Sequence, residues 1–260
     1  MKIKFKCGSI IGLMLGCCAL PSGAAAVLGD DFNYPCFMLC LPDAESAASS
    51  CQSQAEVIKR YENALQQNPE DDHALEQLHR IVAKADGISR QESLRLRQII
   101  RQYTHRAQTV LAPPDEPGEP MIVSGTVRNE ADKPVANALI YVFHADAKGY
   151  YTPDRVMDEP NARLFGYMKT GADGRYEFRT IRPGGYPRQP IPQHIHLLAT
   201  AAGYRDHGCS STCQLVFDND PRMTPEWHKW AKQGGNPVLH VARDQNGVQR
   251  CVYDIMLLRN

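Results

Sequence analysis

A proline-rich stretch divides this chain into two regimes of hydrophobic spacing. Ala112-Pro113-Pro114-Asp115-Glu116-Pro117-Gly118-Glu119-Pro120 has linker composition. Before it, apolar residues recur every three to four positions. Val57, Tyr61, Ala64 and Leu65 form one stripe; Ala74, Leu75, Leu78, Ile81, Val82 and Ala85 form a second; Leu96, Ile99, Ile100, Tyr103 and Ala107 form a third. Asn68-Pro69 separates the first two helices, Gly87 ends the second, and Ser89 with Glu92 resembles a capping box for the third. After the linker the period becomes two. Met121–Arg128, Ala138–His144, Arg175–Ile181, His194–Ala201, Cys213–Phe217 and Gln249–Leu257 read as strands between turn residues. The spacing predicts a mainly β protein: an antiparallel β-sandwich over 121–260, preceded by a short helical segment over 53–111 and the linker 112–120. Asp220-Pro221 to Lys232 adds a late helix carrying Trp227 and Trp230.

The first 26 residues have the order of a secretory signal. Lys2, Lys4 and Lys6 precede the short apolar run Ile10–Leu20, and Ala24-Ala25-Ala26 offers a cleavage site. Lipid attachment at Leu15-Gly16-Cys17 ranks second, because Met14 stands where such a box prefers Leu. The expected address is exported, periplasmic or extracellular. Lys+Arg and Asp+Glu are 29 each, so loss of three signal lysines leaves a mild acidic excess. That balance gives no footprint for nucleic acid. Of the nine cysteines, Cys7, Cys17 and Cys18 lie in the signal. Cys36, Cys40 and Cys51 of the irregular segment 27–52, with Cys209, Cys213 and Cys251, form an even set. In an oxidising compartment such a set reads as disulfides of undetermined pairing.

Two features carry chemistry. In His194-Ile195-His196, alternation along a strand sets both imidazoles on one side, where they can reach one ion. Eight of the eleven tyrosines follow residue 121, and two of them, Tyr151 and Tyr186, occupy turn-like segments at strand ends. Phenolate oxygens joined to imidazoles favour a hard trivalent cation, Fe(III), over softer divalent ions.

The order of motifs over residues 121–257 resembles the intradiol ring-cleavage dioxygenases, the family of catechol and protocatechuate dioxygenases. The pieces are Val123-x-Gly125-x-Val127, Pro134-Val135, Ile140-x-Val142 and Gly149-x-Tyr151. Then come Ala172-Asp173-Gly174-x-Tyr176-x-Phe178, Pro183-Gly184-Gly185-Tyr186-Pro187, His194-Ile195-His196 and Asp220-Pro221. The resemblance implies a non-haem Fe(III) held by Tyr151, Tyr186, His194 and His196. It implies a catecholic substrate cleaved by O2 between its hydroxylated carbons to a muconate-type diacid. Tyr186 is then also catalytic, as the ligand that leaves and takes a substrate proton. It further implies a homodimer joined through the helical segment. Three positions depart from the family: Asp132 replaces a small residue, Tyr141 an acid, and Ile191 the arginine that many members carry three residues before the first histidine. Arg188 is the nearby candidate to supply that charge. A second resemblance, of Val123 to Ala138, is to the opening of transthyretin-like and carboxypeptidase-regulatory sandwiches, which implies a non-catalytic binding module instead.

Overall fold

The computed structural model describes residues 53–205 and 213–260. The expected signal, Cys36, Cys40, Cys51 and Cys209 lie outside the described residues. Three helices come first: α1 (Gln54–Gln67), α2 (Asp72–Lys84) and α3 (Arg90–Tyr103). Ser53 and Glu56 close a reciprocal capping box on α1. On α3 only half of the expected box forms. Ser89 accepts from the Glu92 amide, while the Glu92 carboxylate turns to Arg95 at 2.7 and 2.9 Å.

Eleven strands follow among the described residues, in two sheets. The first sheet holds β1 (Gln108–Val110), β5 (Arg175–Ile181), β2 (Pro120–Asn129), β10 (Gln249–Val252) and β9 (Ala242–Arg243) in that order, with β11 (Ile255–Leu257) also pairing β2. The second runs β4 (Leu164–Lys169), β3 (Leu139–His144), β6 (His194–Thr200), β7 (Cys213–Phe217) and β8 (Val238–Leu239). Helix α4 (Pro225–Gln233) connects the last two. The expected antiparallel arrangement is corrected here: both sheets are mixed. β1 runs parallel to β5, β10 and β11 run parallel to β2, and β8 runs parallel to β7 across the α4 crossover. Period-two spacing reports which face a residue takes and carries no information on strand direction.

Val123, Tyr176 and Phe178 of the first sheet share one buried cluster with Ile140, Val142, Ile195, Leu197 and Leu215 of the second. The alternate residues of the second sheet face the other way. Phe143 and Phe165, with Tyr141 and Tyr167 partly buried, pack in a cluster with Leu65, Leu78, Val82, Leu96 and Ile100 of the three helices. The helices therefore cover the outer face of the second sheet, the face on which the aromatic and imidazole groups of β3, β4 and β6 stand. Cys251 is a buried free thiol on β10, its ionisation pushed up to about 11 by burial.

Candidate metal centre

The four residues singled out from the sequence converge. Tyr151 Oη lies 2.5 Å from Tyr186 Oη and 2.8 Å from His196 Nε2, and Tyr186 Oη lies 3.1 Å from His194 Nε2. The polar atoms thus form one chain, His196–Tyr151–Tyr186–His194. All four side chains are buried, with Tyr186 the most accessible at 9% and Tyr151 the least at 1%.

Each partner arrives by a different route. His194 and His196 occupy alternate positions of β6, which is held by β3 and β7 on its two sides. The ring of Phe143 stacks on that of His196 at 4.4 Å and 4°, fixing the imidazole plane. His194 Nδ1 donates to the Pro192 carbonyl at 2.8 Å, which leaves its Nε2 as the lone-pair nitrogen facing Tyr186.

The tyrosines ride on two loops joined back to back. Asp146, just past β3, folds the first loop: its Oδ1 accepts from the amides of Lys148 and Tyr150. The Asp146 carbonyl accepts from Gly149 in its own loop and from Gly184 in the other, at 2.9 and 2.8 Å. Only glycine permits so close an approach. A methyl at Gly149 would overlap the Gly185 carbonyl, and one at Gly184 would overlap that of Ala147. Arg163 anchors the pair from outside. It bonds Glu116 through two 2.5 Å contacts, reaches Asp146 at 3.5 Å, and its amide donates to the Tyr151 carbonyl. The linker residue Glu116 is thereby fastened beside the site.

Burial holds both imidazoles neutral: His194 is shifted down, and His196 is shifted to about 3 with help from the neighbouring His194 and His144. Burial also raises both phenols. Tyr186 is pushed up to about 12, and its bond from Tyr151 opposes the rise; Tyr151 lies higher still, with the Tyr186 charge adding to desolvation. Tyr186 is the more acidic of the two.

This donor set suits a trivalent ion. Two imidazole nitrogens and two phenol oxygens already touch, and loss of two phenol protons would supply two negative charges. Among the described residues no group of three or more His, Cys, Asp or Glu side chains is gathered as a metal cluster. An ion at this place therefore needs the phenols.

Other residues fall differently. Tyr150 is outside the chain of donors. His144 is fully buried, with Nε2 2.6 Å from Thr180 Oγ1 and Nδ1 2.7 Å from the Ala145 carbonyl, so packing accounts for it. His79 of α2 lies against Phe165 with Nε2 2.6 Å from that residue's carbonyl. Tyr141 stacks on Tyr167 and Phe143. Ile191 packs against the cluster containing Tyr151 and Tyr186, and Arg188 is exposed. Sequence reasoning missed Asp146, Arg163 and Phe143. Asp146 followed by Gly149 is a turn signature that marks the first; the other two carry no local signal.

A family model described as "Dioxygenase" matches residues 99–258. Catechol 1,2-dioxygenase 1 of Acinetobacter lwoffii is 34% identical over 151 residues, covering 52% of this chain and 46% of that protein. The protocatechuate 3,4-dioxygenase beta chain of Burkholderia cepacia is 38% identical over 116 residues, 41% of this chain and 48% of its own. The chain thus spans about half the length of these curated relatives. Among solved structures, the dioxygenase domain of a dioxygenase–carbohydrate-binding protein fusion from Streptomyces sp. SirexAA-E is 30% identical, with a TM-score of 0.45. That match covers 58% of this chain and 88% of the other. Nothing in these matches favours the binding-module reading.

Proposed function

Because this chain belongs to the intradiol ring-cleavage dioxygenase family, we propose that it opens a catecholic ring with O2 on a two-sheet β-sandwich, using Fe(III) held by Tyr151, Tyr186, His194 and His196. The observation that carries this reading is the buried hydrogen-bonded chain of two phenols and two imidazoles. When bound, Fe(III) supplies Lewis acidity towards both catechol oxygens and electronic communication between the ring and O2.

The chain's own residues divide the remaining work. His196 is fixed by Phe143 and His194 by the Pro192 carbonyl, so both imidazoles present one nitrogen without reorganisation. Tyr151 is the deepest donor, anchored through its carbonyl by Arg163, and stays in place. Tyr186 is the more exposed phenol and the one suited to leave. With the ion bound, its oxygen would be the chain's own acceptor for one of the two catechol protons. Ile191 beside it offers the ring an apolar contact with no charge, which favours catechols without an acidic substituent next to that residue. The product is a muconate-type diacid.

The N-terminal pattern supports export to the periplasm or exterior, where the cysteines of the set other than the free Cys251 are the candidates for disulfides. A homodimer through the helical segment completes the reading, and sedimentation showing only monomer removes that part.

Protein purified in air is expected to be red-brown from phenolate-to-Fe(III) charge transfer, with near one iron per chain. Anaerobic catechol should shift the band. Tyr186→Phe and His194→Ala should each lower iron content. Full iron content in both variants, or a wild-type chain that cannot be loaded with iron, overturns the assignment.

A further inference from the structure

The eight residues from Tyr186 to Gln193 connect the outermost phenol to the first imidazole. Pro187, Pro190 and Pro192 remove three amides from that segment. Its internal backbone bonding is correspondingly thin: Gln189 donates to the Tyr186 carbonyl at 3.4 Å. Such a segment depends on hydrogen-bond partners from elsewhere. Most come from one turn, Asp220-Pro221-Arg222, between β7 and α4, besides His194 Nδ1 on the Pro192 carbonyl and Arg182 on the Gln193 side chain.

The two ends of the segment are held in different ways. At the His194 end, the buried Asp220 carboxylate accepts from the Gln193 amide at 2.5 Å, a short charge-assisted bond. Its other oxygen accepts from the Arg222 amide at 2.9 Å. At the Tyr186 end, Arg222 Nη1 faces three carbonyls: Tyr186 at 3.3 Å, Gln189 at 3.4 Å and Ile191 at 3.1 Å. One Nη1 has two hydrogens for three acceptors, so these bonds are long and shared. Gly185 is what admits the guanidinium, since a methyl there would overlap Nη1.

We infer that Arg222 is a positioning residue that lets Tyr186 swing away and return while Asp220 keeps His194 still. Because three carbonyls share one donor group, the segment can give up the bond at Tyr186 and keep those at Gln189 and Ile191. A firm grip at one end and a tradeable grip at the other make a hinge with its pivot at Gln193. This inference rests on the proposed iron site for its purpose, and on the hydrogen bonds alone for its mechanics.

The test compares the whole wild-type chain with Arg222→Met, which keeps the bulk and removes the donors, and Arg222→Lys, which keeps a donor. In iron-free protein, amide hydrogen exchange at Gln189 should speed up roughly tenfold in Arg222→Met while Gln193 keeps its protection. Arg222→Lys should recover most of the loss. In iron-loaded protein, Arg222→Met should lose about half the charge-transfer absorbance per iron, as one of two phenolates falls out of place. Arg222→Lys should restore it. Unchanged exchange at Gln189, or equal loosening of Gln189 and Gln193, overturns the hinge. So does a wild-type band in Arg222→Met. If the wild-type chain takes no iron, the iron reading fails, and the exchange comparison still decides the hinge. Should Arg222→Met not fold, Arg222→Lys alone decides it: its shorter reach should still raise Gln189 exchange above wild type, and wild-type exchange overturns the hinge.

Discussion

Gly149 and Gly184 set how closely the two tyrosine loops approach, and so the 2.5 Å contact between the phenols. Gly149 also has φ +86°, a region that L side chains avoid. Gly149→Ala should therefore cost about 1–3 kcal/mol of stability and part the phenols, lowering iron occupancy as well as the denaturation midpoint. A variant with wild-type midpoint and occupancy would show that the loops need no such contact. His144 makes a different prediction. Burial lowers it from 6.5 to about 4, so the folded chain favours the neutral ring. As pH falls, the unfolded chain takes up a proton first. The stabilisation is complete above about 6.5 and is lost as pH drops towards 4, on the order of 3 kcal/mol for a shift of this size. Urea midpoints at pH 7 and 4.5 should converge more closely in His144→Gln than in wild type. Equal slopes would assign the acid sensitivity elsewhere. At this scale the sequence was informative where a residue type has its own chemistry: two histidines one residue apart, two tyrosines beside glycines. Phe143 and Arg163 serve the site only through packing and reach, which no local pattern records.

Helix α3 carries Arg97 into the apolar layer between the helices and β4. It is 2% exposed, stacks 3.9 Å over the Phe165 ring and donates from Nη2 to the Ala162 carbonyl. Its Nε and Nη1 have no hydrogen-bond partner among the described residues, and burial disfavours its charge, with Tyr141 and Tyr167 nearby opposing that shift. Replacing such a group by an apolar side chain of similar length is often neutral or stabilising. Arg97→Met should thus keep or raise the thermal midpoint, whereas a loss of several degrees would mean that the charge holds Tyr141 and Tyr167 in place. The same layer explains what was unreadable among the elements. β4 is Leu-Phe-Gly-Tyr-Met-Lys, apolar on both sides because one side meets the sheet core and the other the helices, so it shows no alternation. Its Gly166 lies close against Thr109 and Leu111. β1, β8 and β9 are two or three residues long, too short for any period to register. The helices were legible because each presents a single buried stripe. The third stripe ran too far: α3 ends at Tyr103, and the chain beyond Ala107 joins the edge of the first sheet.

The described residues form one compact unit, helices and sheets together. The helices bury Phe143, Phe165, Tyr151 and Tyr186 from one side. A chain lacking residues 53–107 should expose that aromatic face, bind a hydrophobic dye and aggregate. A soluble, dye-silent fragment would show that the sheets stand without their helical cover. The linker composition of 112–120 suggested two separable parts, yet Glu116 is tied to Arg163 beside the site. Composition reports how a segment behaves when free and says nothing of a side chain that finds a buried partner. The hydrogen-bonded chain of donors has one further consequence, for the proton inventory of the molecule. Without an ion, the phenols and imidazoles satisfy one another, so the site is closed by its own protons. Both phenols must surrender theirs for their oxygens to become ligands, and solvent receives two protons per ion. Apparent iron affinity should then steepen by about a hundredfold per pH unit below the phenol range. A chain of this design would load far more readily in neutral surroundings than in acidic ones, whatever the supply of iron.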